Sequence, residues 1–363
     1  MKKIGIVTFH RSYSYGACLQ TYATYKYLEN LNNYVEVIDY LNDYEQRNHK
    51  LLFKENNRLI GYVKSLMKNI IYQKKIHMDR IFNKPEYYYK ITSKQYKRKE
   101  EMMNLEYDIL VAGSDQIWNP ERTNGIDDIY LLNFGKAQNK VSIASSVGSY
   151  YFTEDQHEIF QKTFLKFNRI SVRESFAKEQ LQKDTIKDIE IILDPTFLLS
   201  EKEWNENMIQ KSKYYDLDEK YILAFFVGFD SQYSRQVKEY ADYLQLPVWV
   251  IQPIKRKKIY SDKILVDIQI EDFLCLIKNA ALVITDSFHG VALSIILHSN
   301  FVALTNVTNP IRVASLLHNL HMEERIDMDV ENYSSTNYLQ TDMYLQPLIK
   351  KTKSWITSAI NYD

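Results

Sequence analysis

The sequence contains few cysteines, which can crosslink a chain, and few glycines, which let the backbone approach a phosphate. Only 2 of its 363 residues are cysteine, and 9 are glycine. Cys18 and Cys275 lie far apart in apolar surroundings, without the CxxC spacing of redox and zinc motifs, so we predict two reduced thiols in the core. No GxGxxG or GxxxxGK[ST] stretch occurs. The sequence therefore gives no support for a dinucleotide site or a P-loop.

Long apolar runs are absent as well. No uninterrupted stretch approaches the roughly 20 residues that span a membrane, and no charged segment followed by an apolar one precedes the first predicted strand. We therefore expect a cytoplasmic protein. The HExxH motif, a Cys/His ligand set and the strand-end DxD pair of metal-dependent GT-A enzymes are also missing, so we expect neither a metal nor a cofactor.

The chain has no net charge, but its charges are distributed unevenly. Residues 47–99 contain fifteen Lys or Arg and three acids, a local balance of +12. Apolar residues between Leu59 and Ile71 recur at helical spacing among lysines, which predicts a basic amphipathic helix. Two interpretations stay open: a surface that binds anionic lipid or a lipid-diphosphate substrate, or a packed helix with a solvated basic face. Nucleic acid is not expected, because no aromatic-interleaved basic strand accompanies the charge.

The chain is long enough for more than one hydrophobic core. It has 363 residues, of which 45% are hydrophobic, whereas single cores stop growing at about 250–300 residues. Strand and helix patterns alternate throughout, which predicts an α/β fold of two Rossmann-like domains. We place the first domain at residues 1–200, with a basic helical insertion at about 42–104, and the second at 201–340. A C-terminal helix within residues 341–363 is expected to pack back on the first domain.

Two polar loops stand out because each follows a short apolar strand. Residues 113–120 (GSDQIWNP) follow the predicted strand 108–112, and residues 285–290 (TDSFHG) follow the predicted strand 281–284. In open parallel sheets, ligands bind beyond the carboxyl ends of the strands. Two such loops in the two halves of the chain predict parallel sheets that face one central cleft.

Five segments taken together resemble the polysaccharide pyruvyl transferases. They are residues 15–20 (YGACLQ), 113–120, 171–174 (SVRE), 194–196 (DPT) and 285–290. The resemblance covers essentially the whole chain in motif order. It implies a fold similar to the two-domain GT-B glycosyltransferases, and it implies transfer of a pyruvyl group from phosphoenolpyruvate to two sugar hydroxyls, with formation of a ketal.

The chain departs from this family pattern in two places. Ser14 stands where an Asn commonly precedes the Tyr-Gly pair, and Ser287 and Phe288 stand where better-studied members carry an arginine shortly before the histidine. The missing arginine keeps a GT-B glycosyltransferase that uses a nucleotide sugar as an alternative. A non-catalytic, membrane-docked scaffold of a glycan-assembly complex is a third hypothesis, from a different class.

The chemistry of ketal formation assigns roles on the donor side. His289 is the candidate acid for the methylene carbon because histidine titrates near neutral pH, although its place at a predicted helix start equally suits a neutral ring that binds phosphate. Arg173 directly follows a buried strand and is the candidate for anion recognition, with Arg312 as a second arginine. Ser287 and Gly290 are predicted to add anion-binding groups at the helix start. Ordinary ion pairs are the alternative for both arginines.

On the acceptor side, Asp115 is the candidate residue, either as a base that takes a hydroxyl proton or as a group that only holds the hydroxyl. Trp118 is predicted to stack on a sugar ring. Turns, helix caps and core packing are the structural alternatives. The other residues predicted to bind the acceptor or to line the cleft are Tyr15, Gly16, Ser114, Gln116 and Asn119.

The expected partners follow from these roles. They are phosphoenolpyruvate and a glycan or lipid-linked sugar acceptor of a cell-surface polysaccharide, with peripheral contact between residues 47–99 and the inner face of the membrane as a further expectation.

Overall fold

A computed structural model describes residues 1–42, 76, 78–228, 230–252, 259–305 and 310–361. Two parallel sheets and the helices that pack on them make up this part of the chain. The parallel α/β architecture predicted from the sequence is confirmed. The predicted basic helix at 59–71 lies outside the described residues.

The first sheet has the strand order β2-β1-β3-β4, and all its neighbours are parallel. Isolated bridges from Val141 to Arg169 and from Ser145 to Val172 continue it towards a parallel pair, β5 and β6. The strands are β1 (Lys3–Val7), β2 (Tyr34–Val37), β3 (Glu106–Ala112), β4 (Lys136–Ser142), β5 (Ile170–Val172) and β6 (Ile189–Ile191).

The fourth strand ends earlier than the sequence predicts. Alternation favours a strand at 141–145, but β4 ends at Ser142. Ala144 adopts a left-handed backbone conformation with φ 51°, which interrupts a regular ladder. Ser145 pairs only through isolated bridges, to Asp115 and to Val172. The irregular segment holds the polar ends of three neighbouring strands together.

The second sheet has the order β11-β10-β7-β8-β9, again with parallel neighbours only. Its strands are short, and apart from the edge strand β9, whose first two residues are exposed, they are largely buried and appear in the sequence as continuous apolar runs without alternation. They are β7 (Ile222–Phe225), β8 (Val248–Ile251), β9 (Lys263–Leu265), β10 (Leu282–Thr285) and β11 (Phe301–Ala303).

Helices connect the strands, and several begin at polar caps. Ser14 Oγ accepts from Ala17 N at the first helix, and Ser200 with Glu203 forms a capping box at another. The helices are α1 (Tyr15–Asn30), α2 (Pro120–Thr123), α3 (Glu154–Phe164), α4 (Ser175–Leu181), α5 (Glu201–Asn207), α6 (Tyr233–Leu244), α7 (Ile270–Asn279), α8 (Phe288–Ile296), α9 (Pro310–Asn319) and α10 (Tyr338–Ile360).

The last helix contacts the first half of the chain. Leu193 N donates to Thr352 Oγ1 at 3.1 Å, and Lys2 Nζ donates to the carbonyl of Ile360 at 2.9 Å. It begins at Tyr338, three residues before the predicted segment 341–363. Pro347 lies inside it, and a proline within a periodic pattern makes a helix start difficult to place from sequence. The domain boundaries at 200 and 340 stay predictions.

Aromatic contacts join the two halves on the other side. The ring of Tyr15 in α1 stacks on Phe273 in α7 with centroids 4.2 Å apart, and its hydroxyl donates to the carbonyl of Ile268 at 2.7 Å. Both cysteines are buried and unpaired, as predicted, and burial raises the pKa of Cys18 to about 12. None of the described helices is long and apolar enough to cross a membrane.

Candidate active site

Side chains from both halves meet where the carboxyl ends of the two sheets face each other. The loop after β3 supplies Asp115, the ends of β5 and β6 lead into Arg173 and Asp194, and α8 of the second half supplies His289. Nη2 of Arg173 lies 3.9 Å from Oδ1 of Asp115, and Nε2 of His289 lies 3.5 Å from Oδ2 of Asp194. The two loops singled out in the sequence thus contribute to one cluster.

Asp194 is the centre of this cluster. Its Oδ2 accepts from Arg173 Nη1 at 2.7 Å and from Ser114 Oγ at 3.2 Å, while its Oδ1 accepts from the backbone N and the Oγ1 of Thr196. Burial alone would raise the pKa of Asp194. The nearby charges of His289 and Arg173, together with the Thr196 hydrogen bond, outweigh burial and hold that pKa well below its usual range. Asp194 is therefore an anion at every physiological pH.

Two arginines share one aromatic ring. The guanidinium carbon of Arg173 lies 4.6 Å from the ring centroid of Phe288, and that of Arg312 lies 5.8 Å from the same centroid. Cation–π attraction stabilises a guanidinium in this position. Phe288 stands near the position at which the family pattern has an arginine that this chain lacks. Its ring thus contacts two arginines from other parts of the chain.

Several nitrogens of these arginines have no hydrogen-bond partner within the described part of the chain. They are Nε and Nη2 of Arg173 and Nε of Arg312, all buried. Both residues line a cavity of ≈ 50 Å³ together with Glu174, Asp194 and Phe288. Buried donors without a partner are rare in native proteins and cost about 1–3 kcal/mol each. We interpret the cavity as a site that is complete only when an anion accepts these hydrogen bonds.

The pKa values of the two arginines are shifted in opposite directions. Burial would lower the pKa of Arg173, but Asp194, Glu174 and Asp115 outweigh it and raise that pKa above its ordinary value. Burial, followed by repulsion from Arg173, lowers the pKa of Arg312 to about 10. Arg312 therefore stays protonated at neutral pH in an environment that disfavours its charge, and it is the residue that gains most from a bound anion.

The imidazole of His289 lies between the two halves. It belongs to the first turn of α8 and is buried. A Cβ added to Gly16 would lie only 2.0 Å from Nδ1 of His289. Gly16, which we predicted to bind the acceptor or to line the cleft, thus packs closely against this ring.

The helix start beside His289 is already capped. Ser287 is the N-cap of α8, and its Oγ accepts from the backbone N of Gly290 at 3.3 Å. A Cβ on Gly290 would lie 2.5 Å from Oγ1 of Thr285, so glycine is needed there for packing. The anion-binding role predicted for Ser287 and Gly290 is not supported by this geometry, because their polar groups bond each other.

Asp115 stays the candidate for contact with the acceptor. Its backbone is left-handed with φ 73°, a conformation that disfavours residues other than glycine and asparagine and recurs at functional sites. Its Oδ1 accepts from the backbone N of Gln116 at 2.9 Å, and the side chain is 17% exposed. Among the acids of the cluster, it is the one open to the cleft.

The other polar residues of the first loop support its shape. Asn119 Nδ2 donates to Gln116 Oε1 at 2.9 Å, and Asn119 Oδ1 caps α2 through the backbone N of Glu121. Ser114 is fully buried and donates to Asp194. For Gln116 and Asn119, the structure thus favours the turn and cap alternative. Tyr15 is likewise occupied, since its ring and hydroxyl hold α1 to the second half.

The stacking role predicted for Trp118 is contradicted. Its ring is 3% exposed and lies among three phenylalanines of the first half, Phe160, Phe164 and Phe167. Its Nε1 donates to the carbonyl of Tyr130 at 3.0 Å. Burial in an aromatic cluster is the commoner use of tryptophan. The prediction was wrong because the neighbouring residues in the sequence are polar and indicated a position in the cleft.

Comparison with known proteins identifies the family. A model of the family described as polysaccharide pyruvyl transferase matches residues 15–308. The chain belongs to the polysaccharide pyruvyl transferase family. It is thus a transferase of polysaccharide biosynthesis, and a polysaccharide-type acceptor is implied. None of the curated proteins matches the chain.

Solved structures similar to this family member have the GT-B-like fold. A UDP-GlcNAc 2-epimerase from Neisseria meningitidis, bound to UDP-GlcNAc, has 10% identity and a TM-score of 0.51, with 100% of each chain covered. A UDP-GlcNAc 2-epimerase from Methanocaldococcus jannaschii has 13% identity and a TM-score of 0.47, with 99% of each chain covered. At such identities the likeness concerns the fold.

Two residues of this pyruvyl transferase family member were missed as site residues in the sequence. Asp194 and Glu174 belong to segments that carry the family resemblance, but no binding or catalytic role was predicted for either. Glu174 Oε1 accepts from Ser146 Oγ at 2.7 Å and from the backbone N of Val147 at 3.2 Å. The available signal was their position, since each lies within three residues of the end of a short strand. Among the residues that the structure describes, no group of three or more His, Cys, Asp or Glu is arranged to hold a metal.

Proposed function

We propose that this protein transfers the pyruvyl group of phosphoenolpyruvate to two hydroxyls of one sugar in a cell-surface polysaccharide or its lipid-linked precursor, forming a ketal. The observation that carries the proposal is the set of three buried, unpartnered guanidinium nitrogens around Phe288, next to His289. A small donor with both a carboxylate and a phosphate matches two guanidinium groups placed on one ring.

The two arginines divide the donor's charges between them. Arg173 already holds Asp194 through Nη1. Its Nε and Nη2 lie 3.6 Å from Glu174 and 3.9 Å from Asp115 but have no hydrogen-bond partner, so they suit the smaller carboxylate. Arg312 forms no ion pair with the acids described in the structure and suits the phosphate. The cavity of ≈ 50 Å³ is smaller than the roughly 300–1,000 Å³ of typical ligand pockets, so donor binding requires the surrounding side chains to move apart.

The reaction can be written with these residues. His289 gives a proton to the methylene carbon of the donor, and positive charge develops on the adjacent carbon, close to the anionic Asp194. One sugar hydroxyl attacks that carbon while Asp115 accepts its proton, and the bond to the phosphate oxygen then breaks with its electron pair leaving on phosphate. The second hydroxyl attacks the same carbon and closes the ketal. One hydroxyl proton restores His289 and the other leaves with inorganic phosphate.

Each of these groups contributes to lowering the barrier. A positioned general acid contributes roughly 10²- to 10⁴-fold. The buried carboxylates stabilise the oxocarbenium-like carbon in an environment from which water is largely excluded.

The first test is thermal unfolding of the purified protein with phosphoenolpyruvate and, in parallel, with a panel of nucleotide sugars. A ligand at a hundred times its Kd stabilises the folded state by about 2.7 kcal/mol. We expect stabilisation by phosphoenolpyruvate and its loss in Arg173→Met. Stabilisation by a nucleotide sugar alone would reject the donor and favour glycosyl transfer, the alternative kept open by the missing arginine.

A second variant separates binding from chemistry. His289→Gln should keep stabilisation by phosphoenolpyruvate but lose transfer of labelled pyruvyl to a lipid-linked saccharide fraction. Loss of donor binding in His289→Gln would instead identify His289 as a ligand of the phosphate.

A further inference from the structure

The shared carboxylate of Asp194 suggests a role that goes beyond the pairing of Arg173. Asp194 is fully enclosed, yet its Oδ2 faces groups from both halves of the protein: Arg173 and Ser114 from the first, His289 from the second. Its other oxygen is occupied by Thr196. The carboxylate is therefore fixed in orientation, and the edge of the His289 ring that it faces is fixed with it.

The two nitrogens of His289 have different surroundings. Nε2 is buried and lies 3.5 Å from Asp194 Oδ2, longer than a hydrogen bond, with no other partner in the described part of the protein. Such distances in an empty site shorten when the ligand is bound. Nδ1 packs against Gly16, where a Cβ would lie only 2.0 Å away, and unlike Nε2 it is not a fully buried nitrogen without a partner. One nitrogen thus faces a fixed anion, and the other lies against the backbone of a glycine.

We infer that Asp194 is a positioning residue that holds the proton of the neutral His289 ring on Nε2 and leaves Nδ1 to exchange protons with the donor. The inference rests on the proposed function. The nitrogen hydrogen-bonded to an anion keeps its proton, so the anion selects the tautomer. Asp194 also stabilises the imidazolium that must form before each transfer.

Other charged groups surround this pair. Arg173 faces Asp194 from the end of β5, and Glu174 and Asp115 face Arg173. Arg312 reaches the same cavity from α9. These groups set the overall potential, but among the acids named here only Asp194 has a carboxylate oxygen within 4 Å of a ring nitrogen of His289.

Asp194→Asn should reverse the tautomer. The retained Oδ1 keeps the two Thr196 donors, which places the new amide N–H₂ where Oδ2 now faces Arg173 and His289. A donor in that position requires Nε2 to accept, and the proton moves to Nδ1. The wrong tautomer cannot return a proton correctly, so we expect kcat to fall by roughly 10²- to 10⁴-fold. The KM for phosphoenolpyruvate should not rise, because Arg173 loses a competing partner.

The test is ¹⁵N NMR of histidine-labelled protein at a pH where the rings are neutral, with His289→Asn to assign the signal. We expect the proton on Nε2 of His289, with an Nε2–H protected from exchange, and its transfer to Nδ1 in Asp194→Asn. A wild-type ring protonated on Nδ1, an Nε2–H that exchanges freely, or an unchanged tautomer in the variant would each overturn the inference. The two wild-type measurements decide the question even if the variant does not fold.

The chain offers a matched control in a buried His–Asp pair outside the site. His157 Nδ1 lies 2.7 Å from Asp184 Oδ2, in contact with neither arginine. Asp184→Asn should change the tautomer of His157, leave that of His289 unchanged and leave transfer activity intact. If the wild-type protein transfers no pyruvyl group, the proposed function fails, but the tautomer of His289 still tests the role of Asp194 separately.

Discussion

Replacement of Arg312 by methionine should make this protein more stable and less able to bind its donor. The Nε of Arg312 is buried and has no hydrogen-bond partner among the described residues, and burial lowers the pKa of the guanidinium to about 10. A buried donor without a partner costs about 1–3 kcal/mol, and methionine of similar length removes that cost while it keeps contact with Phe288. We expect the free energy of unfolding to rise by about 1–3 kcal/mol, seen as a higher midpoint in urea at unchanged slope.

The same change should weaken phosphoenolpyruvate binding. Hydrogen bonds to charged groups contribute about 1.5–3 kcal/mol, which corresponds to roughly 10- to 150-fold in Kd. Because the pKa of Arg312 is lower in the folded protein than in the unfolded chain, its cost is fully present below about pH 10 and falls as the pH rises through that value. The stability difference between Arg312→Met and wild type should therefore shrink above pH 10.

The control is Arg325→Met in the second half. Arg325 also has a buried Nε without a hydrogen-bond partner, but its Nη1 donates to the carbonyl of Ser334 at 2.7 Å and its Nε lies 3.5 Å from the carboxylate of Glu324. Its loss should destabilise the protein and leave donor binding intact. An Arg312→Met protein that is less stable than wild type and binds phosphoenolpyruvate normally would refute both the unpaired state of Arg312 and its role at the donor.

Three further predictions concern single residues. Gly16→Ala should lower kcat by at least about 100-fold, because the Cβ of the new alanine would lie 2.0 Å from Nδ1 of His289 and displace the ring of the acid. Steady-state kinetics measures this loss, and an unchanged circular dichroism spectrum shows that the variant is folded. Trp118→Phe should cost about 1–3 kcal/mol in denaturant stability yet keep kcat/KM within a few-fold, and a loss of 100-fold would restore the sugar-stacking role. Asp39→Asn should destabilise the protein at neutral pH. Burial alone would raise the pKa of Asp39, but hydrogen bonds with Arg11 and, to a smaller extent, with His10 outweigh burial and lower that pKa. The resulting stabilisation is present above the unfolded pKa of about 3.9 and is lost as the pH falls through the folded pKa, so the urea midpoints of variant and wild type should converge in acid.

The strand ends were the part of the site that sequence could predict. An apolar strand followed by polar residues has one arrangement in a parallel sheet, so Asp115 and Arg173 could be assigned to the carboxyl edge of the first sheet and His289 to that of the second. The fold followed from the same alternation of covered strands and helices. What periodicity could not predict was which polar residues of a loop turn inwards, because Trp118 and Asp115 stand in one eight-residue segment and only the backbone decides their directions.

The contacts between the halves were beyond sequence reasoning for another reason. The rings of Tyr15 and Phe273 stack across 258 positions of the chain, and no local pattern encodes such a pairing. The same applies to Asp194, whose partners come from four separate segments. Arg312 shares Phe288 with Arg173 only because α9 packs beside α8 in the second half.

The reactivity of the two buried cysteines reports how often the surrounding core opens. Cys18 in α1 and Cys275 in α7 belong to the helices that the Tyr15–Phe273 stack holds together, and burial raises the pKa of both thiols. A thiol-specific dye can react with them only when the core around each thiol opens, since the thiolate is the reactive form and it requires water. The rate of the dye reaction therefore measures how often these buried regions open, without any engineered label.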